Sequence, residues 1–262
     1  MKKTTISGLA ARITGAGEPL VLVHGGMGSW NHWTRNIDAL AGRFTLHLLD
    51  MPGYGDSPVV AKDTPNDDYV ALVAAAVAEI AREQPVKLAG FSFGAVIAAL
   101  CAASLGTRVS GLSLLGAGGF GRSPVALDLR QFPPEASGPG SLRKVLRHNL
   151  AVLMIADPGN ITEEAVDLHL ANVRRTRFDG RHFSLSNIMP PTLARILCPV
   201  QMIWGERDVL VYPDVRARAD TARAARSDVR VDLIPHAGHW VQFEAPGPVN
   251  RAMLQFLGGI AV

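Results

Sequence analysis

Only two cysteines occur in 262 residues, Cys101 in an apolar helical stretch and Cys198 just before Pro199. Such isolated residues build no disulfide framework and read as small buried side chains, in keeping with a reducing compartment. Long apolar runs are also lacking. No stretch approaches the roughly 20 uninterrupted apolar residues of a membrane span. Met1-Lys2-Lys3 is followed by mixed Thr, Ser and Gly in place of a signal-peptide core. The sequence therefore predicts a cytoplasmic protein with no membrane partner. Neither sign of charge dominates, since 26 Lys and Arg face 23 Asp and Glu for a formal charge of +3. The arginines are spread over several segments without interleaved aromatics, which excludes a nucleic-acid partner from the expectation.

What is present is alternation. From Pro19 onwards short apolar runs alternate with longer helical patterns, the mark of a mostly parallel sheet covered by helices. Strands are expected over residues 20–23, 44–49, 86–89, 109–115, 200–204 and 229–234, with an antiparallel edge strand and turn over 4–13. Covering helices are expected over 66–81, 94–104 and 249–257. The rhythm breaks between Gly116 and Pro199, where Gly118-Gly119, Pro133-Pro134 and Gly138-Pro139-Gly140 punctuate the chain. Two helices are expected there, over 142–155 and 162–177, the second opened by Thr162-Glu163-Glu164 as an N-cap with acidic residues in its first turn. This divides the chain into a core of residues 1–117 and 196–262 and an inserted helical cap of residues 118–195.

Gly90-Phe91-Ser92-Phe93-Gly94 follows one predicted strand and precedes a helix, the context in which Gly-x-Ser-x-Gly presents a serine on a sharp turn. A hydroxyl is a poor nucleophile at neutral pH, so it needs a base, and the base needs an acid to orient it. Asp208 follows the predicted strand ending at Trp204, and His239 follows the next strand, so Ser92, Asp208 and His239 come in the chain order expected of this arrangement. Glu206 and His236 are the rivals for acid and base. The spacing of His236 and His239 also suits a metal pair, but no third ligand stands at a convincing distance, and no metal is expected. An oxyanion formed in acyl transfer needs two preorganised donors. Phe93 N–H is one, and Gly26 or Met27, in His24-Gly25-Gly26-Met27-Gly28, is the other. His24 itself reads as a structural residue bonded to its loop.

Taken together, these stretches resemble the α/β-hydrolase family from Pro19 to Leu257, as do Asp50-Met51-Pro52-Gly53-Tyr54-Gly55-Asp56-Ser57 and Gly238-His239-Trp240 followed by Glu244-Ala245-Pro246. The resemblance implies a central sheet of about eight strands with helices on both faces, a helical cap after the sixth strand, and no metal or organic cofactor. Within the family, the stretches from His239 to Glu244 and at Thr162 resemble the meta-cleavage-product hydrolases, which cut carbon–carbon bonds. Those enzymes use a cap arginine to hold the substrate carboxylate, and the same count places His169 there, which cannot replace a bidentate guanidinium. Arg174, Arg175 or Arg177, about one to two turns later, could substitute for it, but the run reads first as a solvated helix face. The expectation is therefore a serine hydrolase of a small or medium carboxylic ester, ahead of carbon–carbon cleavage. Trp33, Phe91, Met154, His169 and Trp240 are the candidates for a substrate pocket. A non-catalytic small-ligand receptor on the same fold is the alternative of another class. A small molecule is the expected partner, and a homo-oligomer is left open.

Overall fold

Lys2–Ile6 (β1) and Leu9–Thr14 (β2) pair antiparallel across the turn Ser7-Gly8. Both turn residues lie at positive φ, 44° and 82°, the two-residue geometry that follows the twist of the strands. The single edge strand expected over 4–13 is thus a hairpin, because a serine accepted the left-handed conformation that the pattern around it did not announce. This structure, a computed structural model, describes residues 1–133 and 139–259. The turn signals at Pro134 and Gly138 lie outside the described residues.

The remaining strands are Glu18–Val23 (β3), Phe44–Leu49 (β4), Val86–Phe91 (β5), Val109–Leu115 (β6), Val200–Gly205 (β7) and Arg230–Ile234 (β8). They form one sheet in the order β1-β2-β4-β3-β5-β6-β7-β8, parallel from β4 to β8. Side chains alternate between its two faces: Val21 and Val23 enter one apolar cluster, and Leu20 and Leu22 enter the other. Burial on both faces is why the inner strands read as continuous apolar runs.

The helices are Ile37–Ala41 (α1), Asn66–Ile80 (α2), Phe93–Leu105 (α3), Pro139–Leu153 (α4), Glu163–Val173 (α5), Arg181–Ser184 (α6), Met189–Leu193 (α7), Val215–Ala225 (α8), Val241–Glu244 (α9) and Pro246–Gly258 (α10). Residues of α2, α3 and α8 belong to one cluster, and residues of α1, α4 and α10 to the other, so both faces of the sheet are covered. The chain therefore has the α/β-hydrolase fold expected of it. α8 was not foreseen. Its buried stripe, Val215, Arg218, Ala219 and Ala222, keeps helical spacing but fills one apolar slot with arginine. Asp214 caps it by accepting from Arg216 N at 2.8 Å and Ala217 N at 2.9 Å.

Helices α4 to α7 all lie between β6 and β7. Thr162 caps α5 by accepting from Ala165 N at 3.3 Å, and Glu163 on α5 bonds Arg143 and Arg147 of α4. α5 stops at Val173, a turn earlier than expected, because the chain bends to tie itself to the loop after β4. Arg177 N donates to Gly53 O at 2.8 Å, and Arg177 Nη2 to Gly55 O at 3.1 Å and Ser57 O at 2.8 Å. Arg174, Arg175 and Arg177 are exposed, as a solvated face would be, but Arg177 also clamps that loop.

Candidate active site

β5 enters α3 through Ser92, which sits at φ 54° and ψ −116°. Such a conformation costs on the order of 1–3 kcal/mol and persists only where its surroundings enforce it. The flanking glycines are part of the enforcement. A Cβ on Gly94 would lie 2.1 Å from His24 O, and one on Gly90 would lie 2.3 Å from Gly94 O. Only glycine lets strand, turn and helix pack this closely.

Asp208 stands on the loop leaving β7, and its side chain is fully buried. Its Oδ1 accepts from Leu210 N at 3.0 Å. Its Oδ2 lies 2.8 Å from His239 Nδ1, and His239 Nε2 lies 2.8 Å from Ser92 Oγ. A carboxylate only accepts, so Nδ1 carries the proton and donates to Asp208, leaving Nε2 to accept from the serine hydroxyl. Phe91 packs its ring against His239 at 5.1 Å between centroids. The rivals point elsewhere. Glu206 faces Arg216 at the surface, 3.9 Å away, and His236 is exposed with Arg207 Nη2 at 3.4 Å. Among the described residues no group of three His, Cys, Asp or Glu side chains is placed to hold a metal ion.

The loop after β3 is held from several sides. His24 Nε2 accepts from Met51 N at 3.0 Å, so its Nδ1 donates to Gly25 O at 2.7 Å. Asp50 Oδ1 accepts from Trp30 N at 2.7 Å. Asn172 of α5 accepts from Ser29 Oγ at 2.9 Å and donates to Asn31 Oδ1 at 2.8 Å. Met27 is left at φ 46°, and Gly26 faces Phe93, whose Cβ would be 3.9 Å from a Cβ on Gly26. The first N–H groups of α3, Phe93 among them, have no acceptor within the helix.

A cavity of about 280 Å³ opens beside Ser92 and His239. None of the five residues expected in a substrate pocket lines it. Trp33, Phe91 and Trp240 are fully buried, and with Met154 they belong to the apolar cluster on one face of the sheet. Trp240 stacks on Phe243 and donates from Nε1 to His32 O at 3.1 Å. His169 is buried on α5, and among the described residues its Nδ1 has no hydrogen-bond partner. Large apolar residues near a site are core material unless a cavity happens to open beside them, and here it opens elsewhere. The walls come from residues 116–129, Ser184 and Leu185, the loop at Leu210 and Val211, and Arg218 of α8. The signal that could have found Arg218 is its place in an apolar slot of a capped helix.

Glu244 joins this region to the chain after α4. Its carboxylate accepts from Gly238 N at 2.7 Å, Asp157 N at 2.7 Å and Ala156 N at 3.1 Å, beside a bond from Trp240 N to Met154 O at 2.7 Å. Burial also makes itself felt on imidazoles. It pushes the pKa of His169 down to about 4, and that of His32 well below the usual range, with the neighbouring histidines adding to the fall. A folded-state pKa below the unfolded value of about 6.5 means that the native state binds fewer protons between the two values. The contribution of His169 to stability is thus complete above pH ~6.5 and lost as pH falls towards 4. Urea midpoints of the wild type should drop across that window, and His169→Leu should drop less. An equal slope in the variant would remove His169 from the account.

A family model described as the alpha/beta hydrolase family matches residues 20–252, and the chain belongs to that family. Among its relatives is the dihydrolipoyllysine-residue acetyltransferase component of an acetoin cleaving system from Pseudomonas putida, 31% identical over 258 residues. That match covers 92% of this chain and 64% of the relative, so the chain spans less than two thirds of that protein's length. A 2-hydroxy-6-oxononadienedioate/2-hydroxy-6-oxononatrienedioate hydrolase from Burkholderia vietnamiensis is 31% identical over 265 residues, covering 93% of this chain and 88% of the relative. Naproxen esterase (carboxylesterase NP) from Bacillus subtilis shares the fold, with a TM-score of 0.77 at 19% identity over 98% of this chain and 91% of the esterase. No helix among the described residues is long and apolar enough to cross a membrane.

Proposed function

We propose that the chain is a serine hydrolase cleaving a small or medium carboxylic ester. The observation that carries this reading is the unbroken hydrogen-bonded line from Ser92 Oγ through His239 to Asp208. Ser92 Oγ attacks the ester carbonyl as His239 Nε2 takes its proton, and Asp208 stabilises the imidazolium. Phe93 N–H and the backbone of the Gly26-Met27 turn receive the oxyanion. The imidazolium then protonates the departing alcohol, and water, deprotonated by the same histidine, releases the acid. Residues 118–195 act as a cap over the core of residues 1–117 and 196–262, and Ser184 and Leu185 form part of the cavity wall.

The purified protein should turn over a short p-nitrophenyl ester, and a serine-directed phosphonate should label Ser92. Labelling should be suppressed in His239→Ala, since the hydroxyl is activated only through its base. Labelling of that variant at the wild-type rate would overturn the assignment. Absence of any turnover in the presence of normal ligand binding would favour a receptor. A second reading, hydrolysis of a carbon–carbon bond in a ring-fission product, is favoured by the Burkholderia vietnamiensis relative, whose name specifies such an oxo-dienedioate. Offering a compound of that class in the same assay separates the two.

A further inference from the structure

The cavity beside Ser92 holds a cation for which the reaction above has no use. Arg218 is 6% exposed and lines the cavity together with Ser92, Asp208 and His239. Its guanidinium carbon lies 4.8 Å over the ring of Phe120. Among the described residues no hydrogen bond and no ion pair holds its five N–H donors, whereas Arg12, buried to a similar degree, is paired with Asp50 and Asp56. Asp208 is the acid nearest to it electrostatically, but it lies beyond ion-pair distance, and its oxygens already serve Leu210 N and His239. A buried, unpaired guanidinium is expensive unless something pairs with it. Burial lowers its pKa and Asp208 raises it, but a guanidinium keeps its charge at neutral pH.

Building on the ester-hydrolase reading, we infer that the substrate bears a second, free carboxylate, anchored bidentately by Arg218 while the scissile carbonyl lies over Ser92. The planar fork of arginine matches a carboxylate, and no protein acceptor competes for it. The rest of the wall suits a short hydrocarbon linker, with Leu127, Leu185, Leu210 and Val211 facing the same space. At about 280 Å³ the cavity lies at the small end of ligand sites, which run from roughly 300 Å³ upwards. A half-ester of a short dicarboxylic acid, or an ester of a short hydroxy acid, meets both requirements. Hydrolysis consumes one water and leaves two small molecules, of which the one on Arg218 keeps its carboxylate.

The test compares shape-matched pairs. On the acyl side, mono-p-nitrophenyl adipate is paired with p-nitrophenyl 6-methylheptanoate. On the alcohol side, 3-acetoxybenzoate is paired with 3-isopropylphenyl acetate. In at least one pair the wild type should favour the anion by about tenfold or more in kcat/KM, and Arg218→Met should remove that preference, with Arg218→Lys recovering part of it. A merely structural arginine would depress both members of a pair alike and leave the ratio unmoved. Independently of catalysis, calorimetry on Ser92→Ala should show adipate or 3-hydroxybenzoate binding that weakens about tenfold or more when Arg218→Met is added. Neutral esters preferred in both pairs, or a preference and affinity indifferent to Arg218, overturn the anchor while Ser92-dependent turnover leaves the hydrolase standing. Arg218-dependent binding without turnover of any ester does the reverse.

Discussion

Ser92→Ala is expected to lower kcat for ester hydrolysis by at least about a thousandfold while the protein remains folded. The substitution deletes one oxygen from a turn whose backbone is already enforced by its neighbours, and it takes nothing from the core. The hydrogen bond lost is the one to His239 Nε2 at 2.8 Å, and the imidazole keeps its bond to Asp208 at 2.8 Å. Thermal unfolding should shift by only a few degrees, because the bond from Ser92 N to Leu115 O at 2.8 Å and the glycine contacts around the turn are retained. On the proposed mechanism, the residual rate of the variant measures what the oxyanion donors and binding alone would supply. Retention of more than about a tenth of wild-type kcat would remove Ser92 as the nucleophile.

Asp208→Asn is expected to lower kcat at least about a hundredfold with KM nearly constant. An amide at this position can present N–H to His239 Nδ1, which favours the tautomer whose Nε2 carries hydrogen and can no longer accept from Ser92. The loss therefore falls on the transition state, where the imidazolium forms, and hardly on the bound substrate. Glu206→Gln is the control. Its carboxylate faces Arg216 at 3.9 Å on the surface, where an exposed pair contributes less than about 1 kcal/mol, so kcat and KM should each move by no more than a few fold. A crippled Glu206→Gln beside a nearly normal Asp208→Asn would exchange the two residues in the mechanism.

Much of the framework was legible before any coordinates. The strands over 44–49 and 109–115 run as expected, and α2 and α3 differ from the expectation by a residue or so. These elements are buried on one or both faces, so their periodicity is a direct imprint of the core. The hairpin at the N-terminus and α8 were missed for opposite reasons. The first depends on a serine at positive φ, a backbone choice with weak side-chain signature. The second buries a narrow stripe of small residues and one arginine, which by composition resembles a solvated face. The end of α5 was set by a partner distant in sequence, the loop carrying Gly53 and Gly55.

The sequence by itself determined the parallel sheet, the sharp turn at Gly90-Phe91-Ser92-Phe93-Gly94 and the order of serine, acid and base along the chain. These are local properties: period-two burial, glycines where backbones touch, and polar residues where strands end. Tertiary structure decided which acid and which histidine meet the serine. Asp208 and His239 reach Ser92 because β7 and β8 are added parallel to β6 on the same side of β5, which brings loops far apart in sequence to one edge of the sheet. It also decided where the cavity opens. Trp33, Phe91, Met154 and Trp240 have the chemistry of a pocket wall but pack into core, while Arg218 has the chemistry of a surface residue but faces the site. Whether a side chain ends beside empty space depends on every element packed around it, and no short stretch of sequence contains that information.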